Sequence, residues 1–292
     1  LADLLDRLSR ALAQDGAPGL EAACRLALME SRGLDPAGAA VVLAGEADLG
    51  RLLAACLGSE DPGEALADLA HGLAALSAAA RCLGCATCCR VSSPTLYSED
   101  LERLGPEGLP REGLYALRAG ERVHSARLGQ TQALPRELIK LREAPRGGCA
   151  FLEGSRCGVH PHRPLQCRQL ECWSGRHAGQ LAARPRLTRA DLFADDPIAL
   201  ALMAEYETRL PGAELAQALD QAVQGGDQAP ALALLELDHR LRQGIAARYG
   251  YHQAQQDLLL GRPARVVALA HGLELALDAR EQPRLIRRDG AA

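Results

Sequence analysis

Residues 81–90 read RCLGCATCCR, and residues 147–173 read GGCAFLEGSRCGVHPHRPLQCRQLECW. Together they hold eight of the ten cysteines of a 292-residue chain. The first stretch contains Cys82-x2-Cys85-x2-Cys88-Cys89, and the second contains Cys149-x7-Cys157-x9-Cys167-x4-Cys172. Two intervening residues allow the tight turn by which two thiolates reach one ion at about 2.3 Å. A helical first stretch would instead place Cys82, Cys85 and Cys89 on one face. Either geometry supplies two or three converging sulfurs, too few to close a four-coordinate site. The candidate ligands are therefore all eight: Cys82, Cys85, Cys88, Cys89, Cys149, Cys157, Cys167 and Cys172. The two clusters are expected to meet in space.

A thiolate-bound metal carries excess negative charge that cations or hydrogen-bond donors must offset. Arg81 and Arg90 bracket the first cluster, and Arg156, Arg163 and Arg168 lie within the second. Arg163 and Arg168 are the candidate contacts to the bound group. His160 and His162 are further nitrogen donors that suit zinc and iron alike. Cys24 and Cys56 stand singly on apolar helical faces and read as buried, inert thiols.

Around Glu153-Gly154-Ser155 two short apolar runs signal a β-hairpin with Cys149 on one arm and Cys157 on the other. Pro161 and Pro164 then exclude regular structure until Leu165, where a helix would carry Cys167 in its first turn. Between the clusters, short helices are expected over 98–104, 111–119 and 135–142.

The flanks are leucine- and alanine-rich. Asp61-Pro62 and Asp196-Pro197 each place a capping side chain before a first-turn proline, and Glu64 adds a capping-box-like pattern. Pro211 stops the helix begun at Asp196. The stretch from Pro263 to Arg280 reads as the last long helix, and His71 and His271 as partly exposed helix histidines. The expected fold is mainly α. Helical regions over 1–80 and 176–292 flank an irregular cysteine-rich metal-binding module over 81–175 that contains the short hairpin.

Composition narrows the function. Aromatics make up 3% of the chain and the net charge is −4, which disfavours a general nucleic-acid or acidic-membrane binder. Residues 81–190 carry 18 basic against 10 acidic residues, so the cysteine-bearing third is basic. No apolar run approaches the roughly 18 residues that span a bilayer. The N-terminal LADLLDRLSRALAQDG lacks the basic start and apolar block of a signal peptide. The cytoplasm is the expected compartment, and there cysteines point to metal or redox chemistry before structural disulfides.

The combined pattern resembles the YkgJ-type cysteine-cluster family of zinc- or iron-chelating proteins. The matching positions are Cys82, Cys85, Cys88, Cys89, Cys149, Phe151, Leu152, Cys157, Arg163, Pro164, Cys167 and Arg168. Ala86 stands where that family often has Gly, and His160 where it usually has Tyr. The resemblance covers about 81–175 and implies a bound metal, zinc or iron, the latter as ions or as an iron–sulfur cluster. Similar clusters occur in flagellin lysine methylases, so a metal-dependent enzyme modifying a protein partner is the alternative. Against an enzyme, no G-x-G-x-x-G loop follows a strand, and no paired-carboxylate or Ser/His/Asp signature stands out. The expected partners are a metal ion and, under the alternative, a protein.

Overall fold

The computed structural model describes residues 1–32, 47–78, 87–125, 130–145, 147–154, 156–170, 181, 183–278 and 280–288. The fold is mainly helical, with short antiparallel strand pairs. It divides into two compact units, one of residues 1–92 and 144–183, the other of residues 93–143 and 184–292. The stretch between the two cysteine clusters thus folds with the C-terminal helices.

In the first unit, helices α1 (Ala2–Arg32), α2 (Ala47–Leu57) and α3 (Pro62–Ala78) form an apolar core. Helix α1 kinks at Gly16 (φ 62°, ψ −148°). Leu20, Cys24 and Leu28 follow at four-residue intervals and are fully or almost fully buried, as one stripe of a helix requires. Leu49 of α2 and Leu69 and Leu73 of α3 close on that stripe. Asp61 caps α3 as its sequence implies, its Oδ1 accepting from the N–H of Gly63 at 2.9 Å and of Glu64 at 3.1 Å. Cys24 and Cys56 lie inside this core. Burial, and then the neighbouring Cys56, push the Cys24 thiol up to about 12. A thiol held protonated is a poor nucleophile and ligand, which agrees with the inert reading.

In the second unit, Asp196 caps the helix Pro197–Arg209 by accepting from Ala199 N–H at 2.9 Å. The helices Gly212–Val223, Ala229–Tyr249, Gln253–Leu259 and Ala264–Ala270 follow. Tyr206, Leu215, Leu219, Leu259 and Val267 are buried at their centre. The short helix expected from Ser98 is a 3-10 turn over Ser98–Arg103.

Two other expectations are corrected. Of residues 111–119 only Arg111–Gly113 form a 3-10 turn, and residues 135–142 form no helix. Leu114–Leu117 and Leu138–Leu141 are antiparallel strands, with Leu114 opposite Leu141 and Leu117 opposite Leu138. A four-residue apolar run fits a buried strand as well as a helix turn, and the pairing partner lies too far along the chain to be read locally. The last long helix ends at Ala270. Gly272 (φ 75°) turns the chain into the strand Leu273–Leu277, paired with Pro283–Arg287. The alternation Leu-Glu-Leu-Ala-Leu has the period of a strand. The His271 side chain is consequently 1% exposed, with Nδ1 at 3.0 Å from Asp220 Oδ1. His71 is exposed, as expected. No helix among the described residues is long and apolar enough to cross a membrane.

Buried Asp238 joins three elements of this unit. Its carboxylate accepts from Tyr206 OH, from Arg242 Nε at 2.7 Å and from Ala264 N–H at 2.7 Å, the first amide of a helix. Asp238→Ala should lower unfolding free energy by about 3–5 kcal/mol, because it deprives the buried Arg242 guanidinium of its nearest carboxylate. Leu275→Ala at a half-exposed position should stay within about 0.5 kcal/mol. Urea denaturation of both variants beside the parent measures the difference.

Candidate metal centre

Helix Thr87–Val91 carries Cys88 and Cys89 and is only five residues long. A helix this short leaves nearly all its carbonyls without intrahelical partners. The Cys88 carbonyl accepts from Ser92 N–H at 3.4 Å, and the Cys89 carbonyl accepts from Cys149 N–H at 2.7 Å. That second bond joins the two cysteine clusters across sixty positions of sequence.

Gly148 makes the approach possible. Its φ is +79°, and a Cβ there would lie 2.6 Å from the Cys89 carbonyl oxygen and 2.9 Å from that of Arg90. Side chains rarely adopt this φ, and backbone oxygens cannot move aside for a Cβ. Before it, Gly147 N–H donates to the Ala144 carbonyl at 2.8 Å and Ala144 N–H to the Gly148 carbonyl at 3.0 Å. This closed turn delivers Cys149 to the helix. Sequence reading passed over Gly148; the only local signal was the Gly-Gly pair ahead of Cys149.

Beyond Cys149 the chain forms the expected hairpin, with Leu152 opposite Cys157 and Glu153 opposite Arg156. Its paired part is shorter than expected. Cys149 precedes it in a turn closed by Leu152 N–H to the Cys149 carbonyl at 3.1 Å, so only Cys157 lies on a paired arm. A 3-10 turn over His160–His162 and Pro164 lead into helix Leu165–Gln169, which carries Cys167. Cys149, Val159 and Leu165 are the buried residues of this stretch among those described.

None of Cys88, Cys89, Cys149, Cys157 and Cys167 is in a disulfide. The electrostatics show that they are neighbours. Cys88 and Cys89 Sγ are 4.0 Å apart. The two sulfurs share one proton, so the pair loses its first proton early, with Cys88 down to about 7. That thiolate, burial, and the nearby Cys167 and Cys157 hold the second proton and raise Cys89. Burial raises Cys167 as well, followed by Cys88, Cys149 and Cys157. Cys82, Cys85 and Cys172 lie outside the described residues, as does Arg81.

Arg163 supplies the opposing charge, acting on both Cys88 and Cys167. Its Nε is buried without a hydrogen-bond partner among the described residues. The Arg168 Nε donates to the Arg163 carbonyl at 3.2 Å and braces the turn that holds Arg163. His160 is exposed and His162 half-buried. Burial, then Arg163, lower the His160 pKa.

The donor chemistry fits zinc or iron. Two thiolates at about 2.3 Å on a tetrahedral ion stand about 3.8 Å apart, close to the Cys88–Cys89 separation. Among the described residues, no three Cys, His, Asp or Glu side chains already stand in ligating positions. The thiols are gathered but not closed round one point.

Residues 81–186 match the family described as "CxxCxxCC: Putative zinc- or iron-chelating domain". The match spans just over a third of the chain. No curated protein and no solved structure matches the chain.

The close approach at Gly148 is testable through its neighbour. Gly147 shares a positive φ (+86°), but a Cβ there would meet open space. Gly147→Ala should cost only about 1 kcal/mol of backbone strain and leave metal content unchanged. Gly148→Ala adds a clash with two carbonyls and should lower bound metal per chain. Elemental analysis of the purified variants, with their melting temperatures, checks both outcomes.

Proposed function

We propose that the protein binds zinc or iron through the thiolates of Cys88, Cys89, Cys149, Cys157 and Cys167. Cys82, Cys85 and Cys172 are the further donors that the sequence supplies. The observation that carries this reading is the convergence of two distant segments, through the Cys89–Cys149 backbone bond, into one group of five reduced thiols. Soft thiolates select zinc and iron over hard cations such as magnesium and calcium. The match of residues 81–186 to a zinc- or iron-chelating domain supports the same reading.

The chain's own residues prepare the site in three ways. Gly148 sets the distance between the two segments. Arg163 places positive charge beside Cys88 and Cys167, and its unpartnered Nε is a donor available to a thiolate. Burial keeps Cys167 protonated without metal, so binding releases protons and weakens as pH falls. A bound metal would supply cross-links that hold the two segments together in a region with little core of its own.

Metal content of anaerobically purified variants tests the assignment. Cys167→Ser should lose most of its bound metal, since a protonated hydroxyl replaces a soft thiolate poorly. Cys56→Ser should retain it, with a stability loss of about 1 kcal/mol from the buried hydroxyl. Arg163→Ala should keep the stoichiometry while weakening affinity by about 10–100-fold. Equal metal loss for Cys56→Ser and Cys167→Ser would remove the basis of the proposal. A brown chain identifies iron, an iron–sulfur cluster included; a colourless metal-bearing chain identifies zinc.

A further inference from the structure

The C-terminal hairpin, Leu273–Leu277 paired with Pro283–Arg287, has two unequal edges. Asp278 N–H donates to the Gln282 carbonyl and Arg288 N–H to the Gly272 carbonyl, both at 2.9 Å. Bonded and non-bonded pairs alternate along an antiparallel ladder, so the bonded pairs between these two are Glu274 with Ile286 and Ala276 with Arg284. Leu273, Leu275 and Leu277 therefore turn their backbone groups away from the neighbouring strand, and so do Pro283, Leu285 and Arg287. The second of these rows is closed. Leu285 N–H donates to Gln228 Oε1 and Gln228 Nε2 to the Leu285 carbonyl, both at 2.9 Å, a side-chain amide standing where a strand would. Pro283 has no N–H to offer. On the first row, Leu275 and Leu277 have no such cover among the described residues, and their side chains are 48% and 66% exposed. An open apolar edge is a template for a further strand.

The sequence of this edge fits its own copy. In an antiparallel pairing with Leu275 opposite Leu275, Leu273 of each chain faces Leu277 of the other, and every outward-turned residue meets an outward-turned one. A slip by one residue would set outward groups against inward ones. All the leucines then share one face, and Leu277 comes beside Leu273 of the second copy, which is 1% exposed and belongs to that copy's core. On the other face Glu274 lies opposite Ala276, and beyond that alanine stands Arg284 of the second copy. The two Cα atoms are two strand spacings apart, about 9.6 Å, which the exposed glutamate and arginine side chains bridge over a methyl group. Two-fold symmetry repeats the pair, and no like charges stand directly opposite.

We propose that the strand Leu273–Leu277 is a dimerisation edge, pairing antiparallel with itself about Leu275 to join two hairpins into one four-stranded sheet. The edge is short, so the dimer is weak and forms at about 10–100 µM.

The test uses the full chain as purified, by sedimentation velocity from about 1 to 200 µM and by hydrogen exchange at both ends of that range. The sedimentation coefficient should rise from that of a monomer to that of a dimer. The Leu275 and Leu277 amides should exchange at least about tenfold more slowly in the concentrated sample. Leu275→Lys sets two ammonium groups opposite each other and should stay monomeric with an unchanged melting temperature at low concentration. Glu274→Arg and Arg284→Glu should each weaken dimerisation about tenfold, and the two together should restore it. A chain monomeric throughout the range overturns the proposal and leaves the edge to an extended segment of another protein. A dimer that persists in Leu275→Lys, or that leaves exchange at Leu275 and Leu277 unchanged, overturns it in favour of another surface. The exchange measurement uses the unaltered chain, so it decides the matter even where a variant folds poorly.

Discussion

The Cys89 carbonyl and the Cys149 amide, 2.7 Å apart, form the contact on which the cysteine-bearing unit depends. A five-residue helix cannot satisfy its own carbonyls, and a segment beginning at Gly148 brings an amide to one of them. This one bond sets the spacing of two thiol-bearing backbones. The rest of the module is arranged around it. The turn over 144–148 delivers Cys149, the two-residue hairpin returns Cys157, and the helix at Leu165 presents Cys167. There is little apolar material here to hold such a path. Backbone hydrogen bonds and closed turns set the geometry, and thiolate ligation would complete it.

Crowding of acidic thiols has an electrostatic consequence. The hydrogen bond shared by Cys88 and Cys89 lowers the first and raises the second, while burial and then the neighbouring thiols raise Cys167. Without a cation Cys89 and Cys167 hold their protons. Arg163 offsets part of the repulsion at Cys88 and Cys167, but one guanidinium cannot neutralise five thiolates. A divalent ion removes the conflict by replacing protons with charge at the centre. Cys24 and Cys56 provide the internal contrast, thiols of the same chain kept neutral by an apolar core and opposed by no arginine in their titration.

The second unit meets the burial of charge differently. Arg189 bonds Glu137 at 2.6 Å and Glu207 at 2.7 Å, and Arg262 bonds Glu121 at 2.7 Å. Arg118, 1% exposed, lies over the Tyr206 ring at 5.1 Å and donates to the Leu210 carbonyl at 2.6 Å. With so few aromatic side chains, guanidinium stems and paired charges fill volume that rings would otherwise occupy. Such pairs add little net stability, yet each partner becomes indispensable once the other is buried.

Much of this was legible in the residues alone, wherever the governing interaction was local. Asp61 and Asp196 marked helix starts because a capping bond spans three residues. Glu153-Gly154-Ser155 marked a hairpin because its pairing closes over four. The cysteine spacing marked a soft-metal site because few other chemistries crowd thiols in this way. Tertiary structure decided what depended on distant partners. Leu114–Leu117 and Leu138–Leu141 became strands because each had the other to pair with, and Leu273–Leu277 because Pro283–Arg287 folded back on it. It also made Cys88 the exposed thiol and Cys149 the buried one, and gave Gly148 its function. None of these is a property of a residue or its neighbours in sequence; each follows from which backbone atom lies across a gap of a few ångströms.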